Sequence, residues 1–110
     1  MARANNKASE TNYIEFDFTA TNKNDFKGRI YKDAKAYDKG TAYGVSITIN
    51  GVTIKGAKLW MPSASDKEPN FMWPSYKAND GKYYDYIAFF EDGDRCDVAE
   101  AAKKLGELVK

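Results

Sequence analysis

The chain has 110 residues, of which 43% are apolar and 30% charged, the size and balance of one soluble domain with a single core. It contains no histidine and one cysteine, Cys96, which excludes Ser-His and Cys-His catalysis, an internal disulfide and a multi-cysteine zinc site. No apolar run approaches the roughly 18 residues that span a bilayer.

The sixteen carboxylates are scattered singly, with no motif that sets a pair apart for acid–base work. A non-enzymatic protein without cofactor or metal is expected. Residues 1–12 read as a flexible tail without the apolar core of a secretory signal, and residues 13–110 as one domain. The lone Cys96, read as an ordinary helix residue, fits a reducing compartment, so the expected location is cytoplasmic.

The net charge of +1 hides an uneven distribution. Residues 23–39 carry a local balance of +3, and residues 91–100 one of −4. Such a dipolar surface can bind an anion on one face while the total stays near zero.

In chain order, YIEFDFT (13–19) alternates Ile14, Phe16 and Phe18 with Glu15 and Asp17, the pattern of a half-buried strand. FKGRIY (26–31) sets Phe26, Gly28 and Ile30 against Lys27, Arg29 and Tyr31, and the polar TNKND before it suits a hairpin. Paired, Glu15 and Asp17 would meet Lys27 and Arg29 across the strands. Lys32, Lys35 and Lys39 read as solvated loop residues.

VSITINGVTIKG (45–56) gives the clearest local signal. Asn50-Gly51 suits a two-residue type I′ turn that sets Ile49 opposite Val52 and Ile47 opposite Ile54, with Lys55 on the wet side. Continued alternation would bury Lys58 and Trp60. A bulge at Gly56-Ala57 is therefore predicted, returning Leu59 and Met61 to the core.

Residues 70–90 hold eight of the sixteen aromatic residues. A strand pair over 71–77 and 82–90 is predicted, joined through Asn79-Asp80-Gly81 as turn chemistry. Asp94 reads as the N-cap of a final helix, in which Val98, Ala101, Ala102, Leu105, Leu108 and Val109 repeat at helical spacing. The fold class predicted is α+β: an antiparallel sheet of about five to six strands followed by one C-terminal helix.

One face of the aromatic segment can meet the helix, and the other has two readings. It can form an interface or a second small core. Alternatively Trp73, Tyr76 and Tyr84 act as stacking surfaces beside Lys77 and Lys82, an arrangement suited to single-stranded nucleic acid. With Lys27, Arg29, Tyr31, Lys55 and Lys58, these make up the candidate nucleic-acid-binding set.

MWPSYKANDGKYYDYIAFF resembles the signature of the stage V sporulation protein G (SpoVG, septation regulator) family, with Pro74, Ser75, Tyr76, Lys77, Asp80, Gly81, Tyr83 and Asp85 falling in order. GVSITINGVTIKGAKLW is similar to that family's central hairpin and DRCDVAEAAKKL to its carboxy-terminal helix, so about residues 27–108 are covered. The resemblance implies DNA or RNA binding, with basic residues around the helix, here Arg95, Lys103, Lys104 and Lys110, as contacts. GRIYKDAKAYDKGTAYGVSITI also resembles the opening of bacterial single-stranded DNA-binding proteins, which implies an OB-like β-barrel with Lys27, Arg29 and Tyr31 in its groove.

The reading is thus a small nucleic-acid-binding protein, homodimeric through sheet edges. Its rival is a protein-binding regulator or inhibitor from a mobile element, using the acidic 91–100 surface.

Overall fold

The computed structural model describes residues 12–110, so the expected tail lies outside the described residues except for Asn12. Among the described residues, eight strands precede one helix: β1 (Tyr13–Thr19), β2 (Asp25–Tyr31), β3 (Lys35–Tyr37), β4 (Gly40–Ile49), β5 (Val52–Pro62), β6 (Asn70–Met72), β7 (Ser75–Lys77), β8 (Tyr83–Asp85) and α1 (Asp92–Val109). The class is α+β, as the alternation patterns predict.

Six strands form one antiparallel sheet in the order β1-β2-β4-β5-β6, with β3 paired to the first residues of β4. β1 and β6 end up at opposite edges. The sheet stays open, which overturns the OB-like barrel.

The first hairpin pairs in the expected register, with Glu15 opposite Arg29, at 3.6 Å, and Asp17 opposite Lys27. Asn50 and Gly51, at φ of 50° and 88°, make the second turn, setting Ile49 opposite Val52 and Ile47 opposite Ile54. The bulge is also present. Val45 pairs with Ala57 while Ile47 pairs with Ile54, so β5 has one residue more than β4 over this span. Gly56, at φ 86°, absorbs the distortion, and Ala57 and Leu59 return to the core.

The single long strand expected over 71–77 is broken at Pro74. Proline has no N–H for the ladder, so β6 pairs with β5 before it while β7 pairs with β8 after it as a separate small hairpin. The strand expected over 82–90 stops at Asp85, one residue before the Tyr86 N–H donates to the Pro74 carbonyl at 2.8 Å.

Helix α1 begins two residues before the expected N-cap. Glu91 takes that place without a side-chain cap, because Asp94 is held by Asn24. Ala101, Ala102 and Leu105 are buried against Phe16, Phe26, Ile30, Ile47 and Leu59 on one sheet face. No helix among the described residues is long and apolar enough to cross a membrane.

Asp97, wholly buried, joins the helix to the β1–β2 loop. Its carboxylate accepts from the Asn22 backbone N–H (2.9 Å) and Nδ2 (3.1 Å), and from the Asn24 backbone N–H (3.2 Å) and Nδ2 (2.8 Å). Burial pushes this carboxyl up, but the four donors outweigh it and hold the group below its ordinary 3.8. Because the folded value is the lower one, the contribution to stability is complete above 3.8 and is lost as pH falls through the folded value. Asp97→Ala strands four donors and should lower unfolding free energy by about 2–3 kcal/mol in urea at neutral pH. The difference from wild type should shrink in acid; a constant difference down to pH 2 would contradict the charged clamp.

Candidate functional site

Among the described residues, helix α1 covers one face of the sheet and nothing covers the other. Period-2 alternation carries Lys27, Arg29 and Tyr31 of β2 onto the open face, beside Glu15 and Asp17 of β1. The register through Ser46 and Thr48 continues this face across β4. The bulge then brings Lys58 and Trp60 of β5 onto it, opposite Gly44 and Ala42. β3 adds Lys35 and Tyr37, paired with Ala42 and Gly40. Five cations, Lys27, Arg29, Lys35, Lys55 and Lys58, thus share the face with the carboxylates of Glu15 and Asp17.

The aromatic rings are interleaved with these cations. The Arg29 guanidinium lies 4.2 Å from the Tyr13 ring centroid and 3.6 Å from the Glu15 carboxylate, while Tyr13 and Tyr31 meet edge to face at 6.1 Å. Lys35 Nζ sits 5.4 Å from the Tyr37 centroid, and Tyr37 is 6.0 Å from Trp60. Such cation–π contacts hold the long side chains over the rings. Tyr31, Lys55 and Lys58 line one hollow over Gly44 and Gly56.

A broader groove of about 840 Å³ lies next to that hollow. Ala42 and Gly56 contribute to its lining, Tyr37 and Trp60 flank it, and Met72, Trp73 and Pro74 contribute from the β6 side. A Cβ on Gly40 would come within 2.7 Å of Trp60 Cζ2, so a bare backbone is required where the indole crosses β4.

The expected set therefore divides into three groups. Lys27, Arg29, Tyr31, Lys55 and Lys58 come together on the open face. Tyr76, Lys77, Lys82 and Tyr84 belong to the separate β7–β8 arm, where Tyr76 stands 6.0 Å from Tyr84 and 5.0 Å from Tyr86. Trp73 is neither, since its ring packs against Phe71 at 5.1 Å and Phe89 at 5.5 Å at the margin of the core. It reaches the groove as a wall, not as a free stacking surface.

Tyr37, Trp60 and Lys35 are functional candidates that the sequence reading passed over. The alternation of β4 extends back to Gly40, and following it would have predicted the β3–β4 hairpin that carries two of them.

The helix offers no comparable surface. Arg95 bonds the Phe89 carbonyl and Asp92, Lys103 meets Glu68 at 3.0 Å, Lys104 lies 3.9 Å from Glu100, and Lys110 meets Glu107 at 2.8 Å. Each cation implied as a helix contact is paired with a neighbouring carboxylate. The acidic 91–100 segment is likewise committed internally: Asp97 is buried, Asp94 is bound by Asn24, Glu100 accepts the Thr21 N–H at 3.1 Å and Asp92 pairs with Arg95. Glu91 and Asp92 remain exposed.

No family model, curated protein or solved structure matches the chain. The two resemblances rest on the quoted residues alone.

The arm is closed by Asp80. Its carboxylate accepts the Lys82 N–H at 2.9 Å and the Tyr84 hydroxyl at 2.8 Å, which lowers the acid and raises the Tyr84 phenol above its ordinary 10.0. Asp80→Asn should return the Tyr84 titration toward 10.0 in an alkaline NMR series. An unchanged midpoint would mean that this contact is absent in solution.

Proposed function

We propose that the protein binds single-stranded nucleic acid, DNA or RNA, across the open face of its sheet and performs no chemistry on it. One observation carries the reading: an uncovered sheet face where Lys27, Arg29, Lys35, Lys55 and Lys58 alternate with the rings of Tyr13, Tyr31, Tyr37 and Trp60. Cations meet phosphates while exposed rings stack on bases, a contribution of roughly 1–3 kcal/mol per base. A duplex hides its base faces in the stack, so a flat aromatic surface favours unpaired strands.

The sporulation protein G-like order of residues in the β7–β8 arm supports the same reading, and the exposed Cys96 accords with a cytoplasmic location. Of the homodimers possible through sheet edges, a β1–β1 pairing centred on Phe16 is disfavoured. A two-fold pairing about Phe16 would set Glu15 opposite Asp17 of the second copy, and like charges directly opposite destabilise a sheet. A monomer already presents the whole face. The protein-binding alternative would use the exposed Glu91 and Asp92, since Asp97 is buried and Asp94 and Glu100 accept hydrogen bonds from the β1–β2 loop.

Fluorescence anisotropy with a labelled 12-nucleotide strand, as DNA, RNA and duplex, should show affinity for the single strands that falls steeply between about 50 and 200 mM salt. Lys27→Ala with Lys55→Ala should weaken binding about tenfold at low salt and reduce the salt slope by about two. Affinity indifferent to salt, or the absence of binding, would overturn the proposal.

A further inference from the structure

The groove between β3, β5 and β6 is the most aromatic part of the open face. Tyr37, Trp60, Met72, Trp73 and Pro74 surround a recess whose lining includes Ala42 and Gly56, with Asp38, Lys39 and Lys58 as its charged members. At about 840 Å³ it falls within the range of small-molecule clefts, roughly 300–1,000 Å³. Tyr37 is 52% exposed, and so remains available to a ligand, while Trp60 is half-buried. Lys39 and Lys58 line the recess and Lys35 stands over Tyr37, so three cations against the one carboxylate of Asp38 leave the slot net positive.

Resting on the nucleic-acid reading, we infer that this groove holds one unstacked nucleobase of the bound strand against Tyr37 and Trp60, with Lys35 and Lys58 at the flanking phosphates. The charge complementarity identifies the occupant. A purely apolar or proline-rich segment would use the rings but leave both lysines without a counterpart, whereas a nucleotide supplies an aromatic plane with an anion on each side. The strand is anchored here by a base and elsewhere by its backbone. Binding therefore separates into a salt-sensitive component spread over Lys27, Arg29 and Lys55 and a base-dependent component to which the groove contributes most.

The test compares an oligothymidylate with an abasic strand of equal length, by anisotropy at fixed salt, on wild type and on the variants Tyr37→Ala, Trp60→Ala and Trp60→Phe. Wild type should bind oligothymidylate about tenfold more tightly than the abasic strand. Tyr37→Ala and Trp60→Ala should each remove most of that difference by lowering oligothymidylate affinity far more than abasic affinity, and Trp60→Phe should restore it to within about threefold of wild type. Circular dichroism monitors folding, and Tyr37, being exposed, supplies the result if Trp60→Ala unfolds. Equal wild-type affinity for the two strands, or equal losses on both in the variants, would overturn the groove assignment while leaving backbone binding intact. No binding of either strand would overturn the nucleic-acid reading itself. Displacement of oligothymidylate by a proline-rich peptide at comparable concentration would reassign the groove to protein.

Discussion

Asp97 is a carboxylate without solvent, and its charge is tolerable only because four N–H groups from Asn22 and Asn24 converge on it. A buried charge left unpaired would cost several kcal/mol, so helix and loop are obliged to meet in one arrangement. The constraint spreads outward. Asn24 also donates to Asp94, and its carbonyl oxygen Oδ1 accepts from Asn50 Nδ2 at 2.7 Å, while Asn50 Oδ1 takes the Asp25 N–H. One polar knot thus ties the beginning of the helix to two hairpin turns. With that end pinned, Ala101, Ala102 and Leu105 can settle only on the face made by Phe16, Phe26, Ile47 and Leu59.

The same docking decides which face is left over. A six-stranded sheet with one helix has enough apolar cover for one side, and the other must be acceptable to water as it stands. Glu15, Asp17, Lys27 and Arg29 meet that need near β1 and β2. Toward β3 and β6 the face is less polar, and Tyr37, Trp60 and Met72 remain over a lining of small residues. An open face that mixes cations, carboxylates and rings follows from covering a two-sided sheet with one helix.

Sequence alone revealed most of the strand architecture, because its signals were local. Alternation in 13–19 and 26–31, Asn50-Gly51 and the awkward position of Lys58 each report on a few neighbouring residues, and each predicted its element. The failures involve competition between distant groups. Asp94 looked like a cap because nothing nearby indicates that Asn24, 70 residues away, would claim it. Residues 71–77 read as one strand because Phe71 and Tyr76 alternate plausibly, yet Pro74 divides them between two sheets. Trp73 looked available because its partners Phe71 and Phe89 come from either side of that break.

Gly56 makes almost no contact, its hypothetical Cβ finding only Pro74 Cγ at 3.7 Å, yet it governs every position downstream on β5. A pleated strand has parity: odd and even residues look to opposite sides, and one extra residue exchanges them. Before the bulge the even-numbered Ile54 faces the core; after it the even-numbered Lys58 and Trp60 face outward and the odd-numbered Leu59 faces inward. The face that carries Lys58 and Trp60 is therefore determined by a count rather than by their own chemistry. A lineage that lost one residue here would keep every side chain of the open face and still lose the face, with a lysine and an indole turned under the helix and a leucine turned to water. Substitutions explore that surface gradually, but a single-residue deletion inverts it.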